Sequence, residues 1–119
     1  MAINSDFRPR TAEGSIGRYR IIKAGAGVRS AVLAAAATDK LLGTSDDLAH
    51  VAGEQVDLAV GPVPTVVLGG TVAQGDALTS DANGAAIATT TSGNRIIGFA
   101  EVAGVAGDEI TYLRAPGVL

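Results

Sequence analysis

The stretch Gln55-Val56-Asp57-Leu58-Ala59-Val60 decides the fold class. Val56, Leu58 and Val60 recur at every second position, with Gln55, Asp57 and Ala59 between them. That is the period of a half-buried β-strand, not of a helix. The pattern continues downstream. Pro62 and Pro64 follow at once, and a prolyl nitrogen cannot donate to a ladder, so they predict a sheet edge or a strand-to-strand corner. Thr65 to Leu68 is rich in β-favouring residues and stops at Gly69-Gly70. Ala77-Leu78-Thr79 leads into Asp81-Ala82-Asn83-Gly84, where Asn-Gly marks a hairpin because both residues tolerate positive φ; residues 85–89 return. Residues 95–102 and 109–113 read as two further strands.

One local motif recurs within this β-rich half. Gly53-Glu54-Gln55-Val56, Gly75-Asp76-Ala77-Leu78 and Gly107-Asp108-Glu109-Ile110 share a glycine, an acid, a variable residue and an aliphatic. Its physical sense is a glycine-permitted turn, a carboxylate that accepts from nearby backbone N–H groups, and an apolar residue entering a sheet. The unequal spacings exclude a solenoid repeat.

Upstream, Arg18-Tyr19-Arg20-Ile21-Ile22-Lys23 is a short β-favouring run bounded by Gly25 and Gly27, read here as a strand. A strand is expected over 28–34 and another over Leu41-Leu42-Gly43-Thr44. The run Ala34 to Ala37 has high helix propensity, so residues 30–42 stay open between strand and helix. Residues 1–17 carry Pro9, Gly14 and Gly17 and no sustained apolar period, and they predict an extended N-terminal arm on a body spanning 18–119. The expected fold is all-β, a small barrel or sandwich with little or no helix.

Composition sets limits on function. The chain has 119 residues, 16 glycines and no cysteine, which excludes disulfides and thiolate metal sites. Its only aromatics are Phe7, Tyr19, Phe99 and Tyr112. A body packed from small aliphatics buries little area per side chain, so burial against copies of itself or a large partner is expected. Val28 to Ala37, the most apolar stretch, contains Arg29 and Ser30 and is far short of the ~20 residues a membrane span needs. No secretory signal is visible at the start.

Charge is unevenly placed. Residues 1–29 hold six cations and two acids, a net of +4, whereas residues 30–119 hold three cations and ten acids, a net of −7. A basic leading segment on an acidic body points to a binding arm. Nucleic acid is a poor target for it, because the body repels phosphate and no aromatic stacking platform accompanies the arginines. An acidic protein surface suits it better.

The search for catalytic chemistry finds little. His50 is the only histidine, close in sequence to Ser45, Asp46 and Asp47, and is expected to be a solvated loop residue. One histidine without cysteine excludes the usual zinc sets, and the alternating ligands of a calcium loop are missing. Gly25-Ala26-Gly27 lacks the continuation of a phosphate loop. No catalytic residue, metal, cofactor or small-molecule substrate is expected.

The order of several segments resembles the small phage capsid decoration, or head cement, proteins. These are Arg20-Ile21-Ile22-Lys23-Ala24-Gly25, then Ala37-Thr38-Asp39-Lys40-Leu41-Leu42-Gly43-Thr44-Ser45-Asp46, then Gly70 to Asp81 with Asn83-Gly84, Ile96-Ile97-Gly98-Phe99-Ala100 and Gly107-Asp108-Glu109-Ile110. The resemblance spans about residues 18–117. It implies a β-tulip-like barrel, a place on the outer surface of a virion head, trimers at three-fold and local three-fold positions, and the major capsid protein as partner. It implies no catalytic residues. The expected capsid contacts are Phe7, Arg8, Pro9 and Arg10 on the arm and Arg18, Tyr19 and Arg20 at its root, since arginine and aromatic residues most often dominate interface energy. A nucleic-acid-binding module or another virion accessory protein is the alternative.

Overall fold

The computed structural model describes residues 7–119, and they are all-β. Ten strands form two sheets. Strands β1 (Phe7–Ala12), β2 (Ile21–Ala24), β3 (Ser30–Leu33), β4 (Leu41–Thr44) and β5 (Gln55–Ala59) close a barrel in the order β1-β3-β2-β4-β5. Strands β6 (Thr65–Val67), β7 (Ala77–Ser80), β8 (Ala86–Ala88), β9 (Arg95–Ala100) and β10 (Glu109–Val118) form an open sheet in the order β6-β10-β9-β7-β8.

Period-2 alternation in one short strand links the two halves. Ile21 and Ile22 are both fully buried but point to opposite faces of β2. Ile22 packs in the barrel with Ala12, Ile16, Ala31, Val56 and Leu58. Ile21 packs against the second sheet with Val66, Leu68, Leu78, Ile97 and Tyr112. Tyr112 is the one wholly buried aromatic among the described residues; its hydroxyl lies 3.1 Å from Thr44 Oγ1, and burial pushes its pKa up to about 12. The hairpin tip at Asn83-Gly84 adds a backbone tie, since the Gly84 carbonyl accepts from Ile21 N–H at 2.7 Å.

The repeated glycine–acid motif builds three corners of one design. Gly53, Gly75 and Gly107 have φ of 91°, 88° and 92°, the left-handed region a side chain avoids. The acid after each closes the turn in both directions. Asp76 N–H donates to the Ala73 carbonyl at 3.1 Å while Asp76 Oδ2 accepts from Ala73 N–H at 2.8 Å. Glu54 with Val51, and Asp108 with Val105, repeat the exchange. The aliphatic two residues after each acid, Val56, Leu78 or Ile110, enters a core. The prolines also act as read from the sequence. Residues 60–64 carry the chain from the barrel to β6 at the edge of the second sheet, and Pro62 and Pro64 contribute only carbonyls, to Arg114 N–H and Tyr112 N–H.

Three expectations are corrected. The arm assigned to residues 1–17 is barrel from Phe7 onward: β1 pairs antiparallel with β5 from Phe7↔Ala59 to Thr11↔Gln55, and parallel with β3 at Thr11↔Ser30 and Ala12↔Ala31. Residues 1–6 lie outside the described residues. Pro9 conceals the strand in the sequence, yet its missing N–H is harmless. Thr11 and Glu13 donate toward β3, so by alternation the Pro9 nitrogen faces the same side, and β3 begins only opposite Thr11. Second, the strand expected from Arg18 begins at Ile21, because Tyr19 sits at φ 54° and breaks the extended run. Third, residues 34–37 are neither strand nor helix: β3 ends at Leu33, and the Asp39 carboxylate accepts from Ala35 N–H and Ala36 N–H to hold a turn.

Candidate functional site

Alternation along β1 divides the expected contact residues between two faces. Phe7, Pro9 and Thr11 stand on one side of the ladder with Ala59, Asp57 and Gln55; Arg8 and Arg10 stand on the other with Leu58 and Val56. On the first side lies a groove of about 440 Å³, walled by Phe7, Tyr19, Leu48, Val63 and Pro64 and edged by Asp46, Asp47 and Asp57. Phe7, Leu48 and Val63 are exposed there, at 42%, 63% and 43%.

Tyr19 is held in the groove by its backbone. Its N–H donates to the Asp46 carbonyl at 2.9 Å and its carbonyl accepts from Val67 N–H at 3.0 Å, fixing the positive φ from both sides. A bulky residue in that region is strained and persists because its surroundings over-determine it. The Arg18 guanidinium lies over the Tyr19 ring, 5.1 Å from its centroid, and makes a two-point pair with Glu109 at 2.8 and 2.6 Å.

Arg8, Pro9, Arg10 and Arg29 line a separate cavity of about 400 Å³. Arg10 Nη1 donates to the Ser30 carbonyl at 2.9 Å. None of these three arginines has a carboxylate within ion-pair distance among the described residues. Arg20 belongs to neither site; it reaches the Asn83 carbonyl at the hairpin tip. Thus Phe7 and Tyr19 converge, Arg8, Pro9 and Arg10 gather elsewhere, and Arg18 and Arg20 are tied to neighbours. The sequence reading missed Asp57, Leu48 and Val63 in the groove and Arg29 in the cavity. Pairing brings Asp57 opposite Pro9, which no local pattern reveals. Val63 carried a signal, an apolar residue between two prolines at a corner.

His50 is not a solvated loop residue. Its side chain is only 12% exposed, its Nε2 lies 2.8 Å from Asp46 Oδ1, and its backbone bridges Ile16 at the barrel end. Ser45 Oγ donates to the Gly17 carbonyl and accepts from Arg20 N–H, so its hydrogen bonds lead away from the imidazole. This cluster is a structural pin. Among the described residues no group of three His, Asp or Glu could hold a metal ion, and no helix is long and apolar enough to cross a membrane.

Three carboxylates fasten loops by accepting hydrogen bonds. Burial pushes the Asp46 pKa up, but Asp57 N–H, the His50 ring and Leu48 N–H outweigh it and leave the group below its ordinary 3.8. Glu13 is lowered by Gly27 N–H and Ala26 N–H, and Asp39 by Ala35 N–H first, against burial, with Lys23 assisting. Groups depressed in the folded state add stability above their unfolded pKa and lose it as pH falls through the folded value. The melting temperature should therefore be level above pH ~5 and fall steadily below pH ~4. Asp46→Asn should flatten part of that fall, as followed by circular dichroism.

No family model and no curated protein matches the chain. Among solved structures, the head fiber gp8.5 N base in bacteriophage phi29 matches with a TM-score of 0.71 over 95% of this chain and 96% of that one, at 19% identity. The two chains share a fold. At that coverage the likeness takes in both sheets.

Proposed function

We propose that the chain is a structural protein of a phage virion, a capsid decoration or cement protein. In this reading it is made in the host cytoplasm and sits on the outside of the head. It forms trimers at three-fold and local three-fold positions and stabilises the major capsid protein lattice. The observation that carries the reading is the likeness in fold to a phage head fiber base over nearly the whole of both chains. The order of segments that resembles the decoration proteins supports it independently. So does the exposed aromatic groove, which suits a protein surface better than a small substrate.

Such a protein acts by mass action, since binding only to the assembled, folded lattice stabilises the lattice. Repetition over many lattice sites adds avidity. Phe7 and Tyr19 are the proposed anchors, because half-exposed aromatics in a preformed groove bury large area at small entropic cost. Arg8, Pro9, Arg10, Arg18 and Arg20 are proposed as flanking contacts.

The test is co-sedimentation of the purified chain with heads that lack it, from the phage that encodes it. Saturable binding is expected. Phe7→Ala and Tyr19→Ala should each weaken binding about tenfold or more, with little change in melting temperature. Failure of the wild-type chain to pellet with the heads removes the reading.

A further inference from the structure

We infer that copies of this chain join head to tail: the basic cavity of one copy receives the acidic rim of the aromatic groove of the next. The inference deepens the self-association in the proposed function and rests on it only in that respect. It is carried by charge complementarity between two separate surfaces of one barrel. Arg8, Arg10 and Arg29 converge on one cavity with no carboxylate in ion-pair range among the described residues. Three guanidinium groups of one sign repel each other, and an acidic partner would relieve that repulsion. Arg29 is held toward this cavity by a backbone at φ 54°, with its carbonyl tied to Thr11 N–H at 2.9 Å. As at the half-buried Tyr19, an uncommon conformation is maintained by backbone hydrogen bonding, here under an exposed side chain.

The matching surface is the acidic edge of the aromatic groove, Asp46, Asp47 and Asp57, and it leaves the Phe7 and Tyr19 faces to the capsid contact. The Asp46 carboxylate is occupied by His50, Leu48 N–H and Asp57 N–H. Asp47 is exposed and makes no side-chain hydrogen bond or ion pair among the described residues, and the Asp57 carboxylate meets only the Gln55 amide. Free carboxylates at this edge offer an incoming guanidinium a two-point ion pair. Phe7 and Arg8 are adjacent in β1 and point to opposite faces, so a single copy cannot satisfy itself. Contact between unlike patches propagates from copy to copy and closes into a ring where the rotation allows.

The experiment measures mass in solution by analytical ultracentrifugation at about 0.1 M salt, where charges act over about 10 Å. Wild type should associate. Arg8→Gln with Arg29→Gln, and separately Asp47→Asn with Asp57→Asn, should each sediment as monomers with folded circular dichroism spectra. Mixed one to one, these two variants still hold one intact patch each, of opposite kind, and should form a heterodimer that grows no further. A two-fold contact between like patches predicts no such rescue. Unchanged association in both double variants, monomeric wild type, or no pairing on mixing overturns the inference. So does a DNA mobility shift lost in Arg8→Gln/Arg29→Gln with protein mass unaffected, which would assign the cavity to nucleic acid. Head binding by a chain that fails these tests would leave the proposed function standing, and loss of head binding by a chain that passes them would leave the head-to-tail contact standing.

Discussion

Gly98→Ala should be among the most damaging single substitutions in the chain, lowering stability by more than about 4 kcal/mol. Gly98 lies in β9 opposite Arg114 of β10, with φ at 154°. A Cβ placed there would overlap the Leu113 carbonyl oxygen and stand 2.9 Å from the Ala115 nitrogen. Both obstacles are backbone, so no rotamer change relieves them. β10 is already irregular at this point: its register against β9 shifts between Arg114 and Gly117, and Pro116 falls inside the shift, where a missing N–H is tolerated. Moving this segment would disturb Tyr112, two residues before Arg114 and at the centre of the inter-sheet core. Gly107→Ala is the control. Its φ of 92° is strained for alanine, but a Cβ would meet nothing within 4 Å. It should cost about 1–2 kcal/mol. Urea melts of the two variants should therefore differ by several-fold in ΔΔG, and a Gly98→Ala chain as stable as Gly107→Ala would refute the packing described at β9–β10.

The parts of this fold that were legible in the sequence are those fixed by neighbours along the chain. The alternation of Val56 and Leu58, the Asn83-Gly84 hairpin and the three glycine–acid corners depend on a few consecutive residues, and each formed where it was read, the hairpin with only Gly84 of its pair at positive φ. What the sequence concealed depends on pairing between distant residues. β1 looked like an arm because Pro9, an exposed Arg8 and a half-buried Arg10 give it no buried stripe; Ala12 is its one buried position. It becomes a strand because β5 and β3 lie on either side of it, with paired residues 44–52 and 19 positions away in sequence. His50 was misjudged for the same reason, since Ile16 and Asp46 bury it across the barrel end. The candidate site inherits the same limit. Choosing Phe7 and Tyr19 by residue type was possible from the chain alone, but separating Phe7 from Arg8 required knowing that both lie on a paired strand.

Removal of residues 1–12 should unfold the barrel rather than leave a body without its arm. The deletion strips five residues from the ladder with β5 and two from the ladder with β3, opening a closed barrel. Each lost backbone hydrogen bond costs about 1 kcal/mol net, and several are lost together. Ala12 is removed from a core in which Val56, Leu58 and Ala31 then meet water. The sum is of the order of the whole stability of a small domain, about 5–15 kcal/mol. The truncated chain should lose its cooperative melt and the dispersed amide resonances of β2 to β5. A synthetic peptide of residues 1–17 added in trans should restore them by re-forming the missing strand. A truncated chain that melts cooperatively within about 5 °C of the parent, a shift worth roughly 1 kcal/mol, would show that β1 is an appendage after all. The consequence for function is direct. Lost head binding in this truncation would report a broken barrel, so the capsid contact has to be mapped with surface substitutions such as Phe7→Ala that leave the β1–β5 ladder paired.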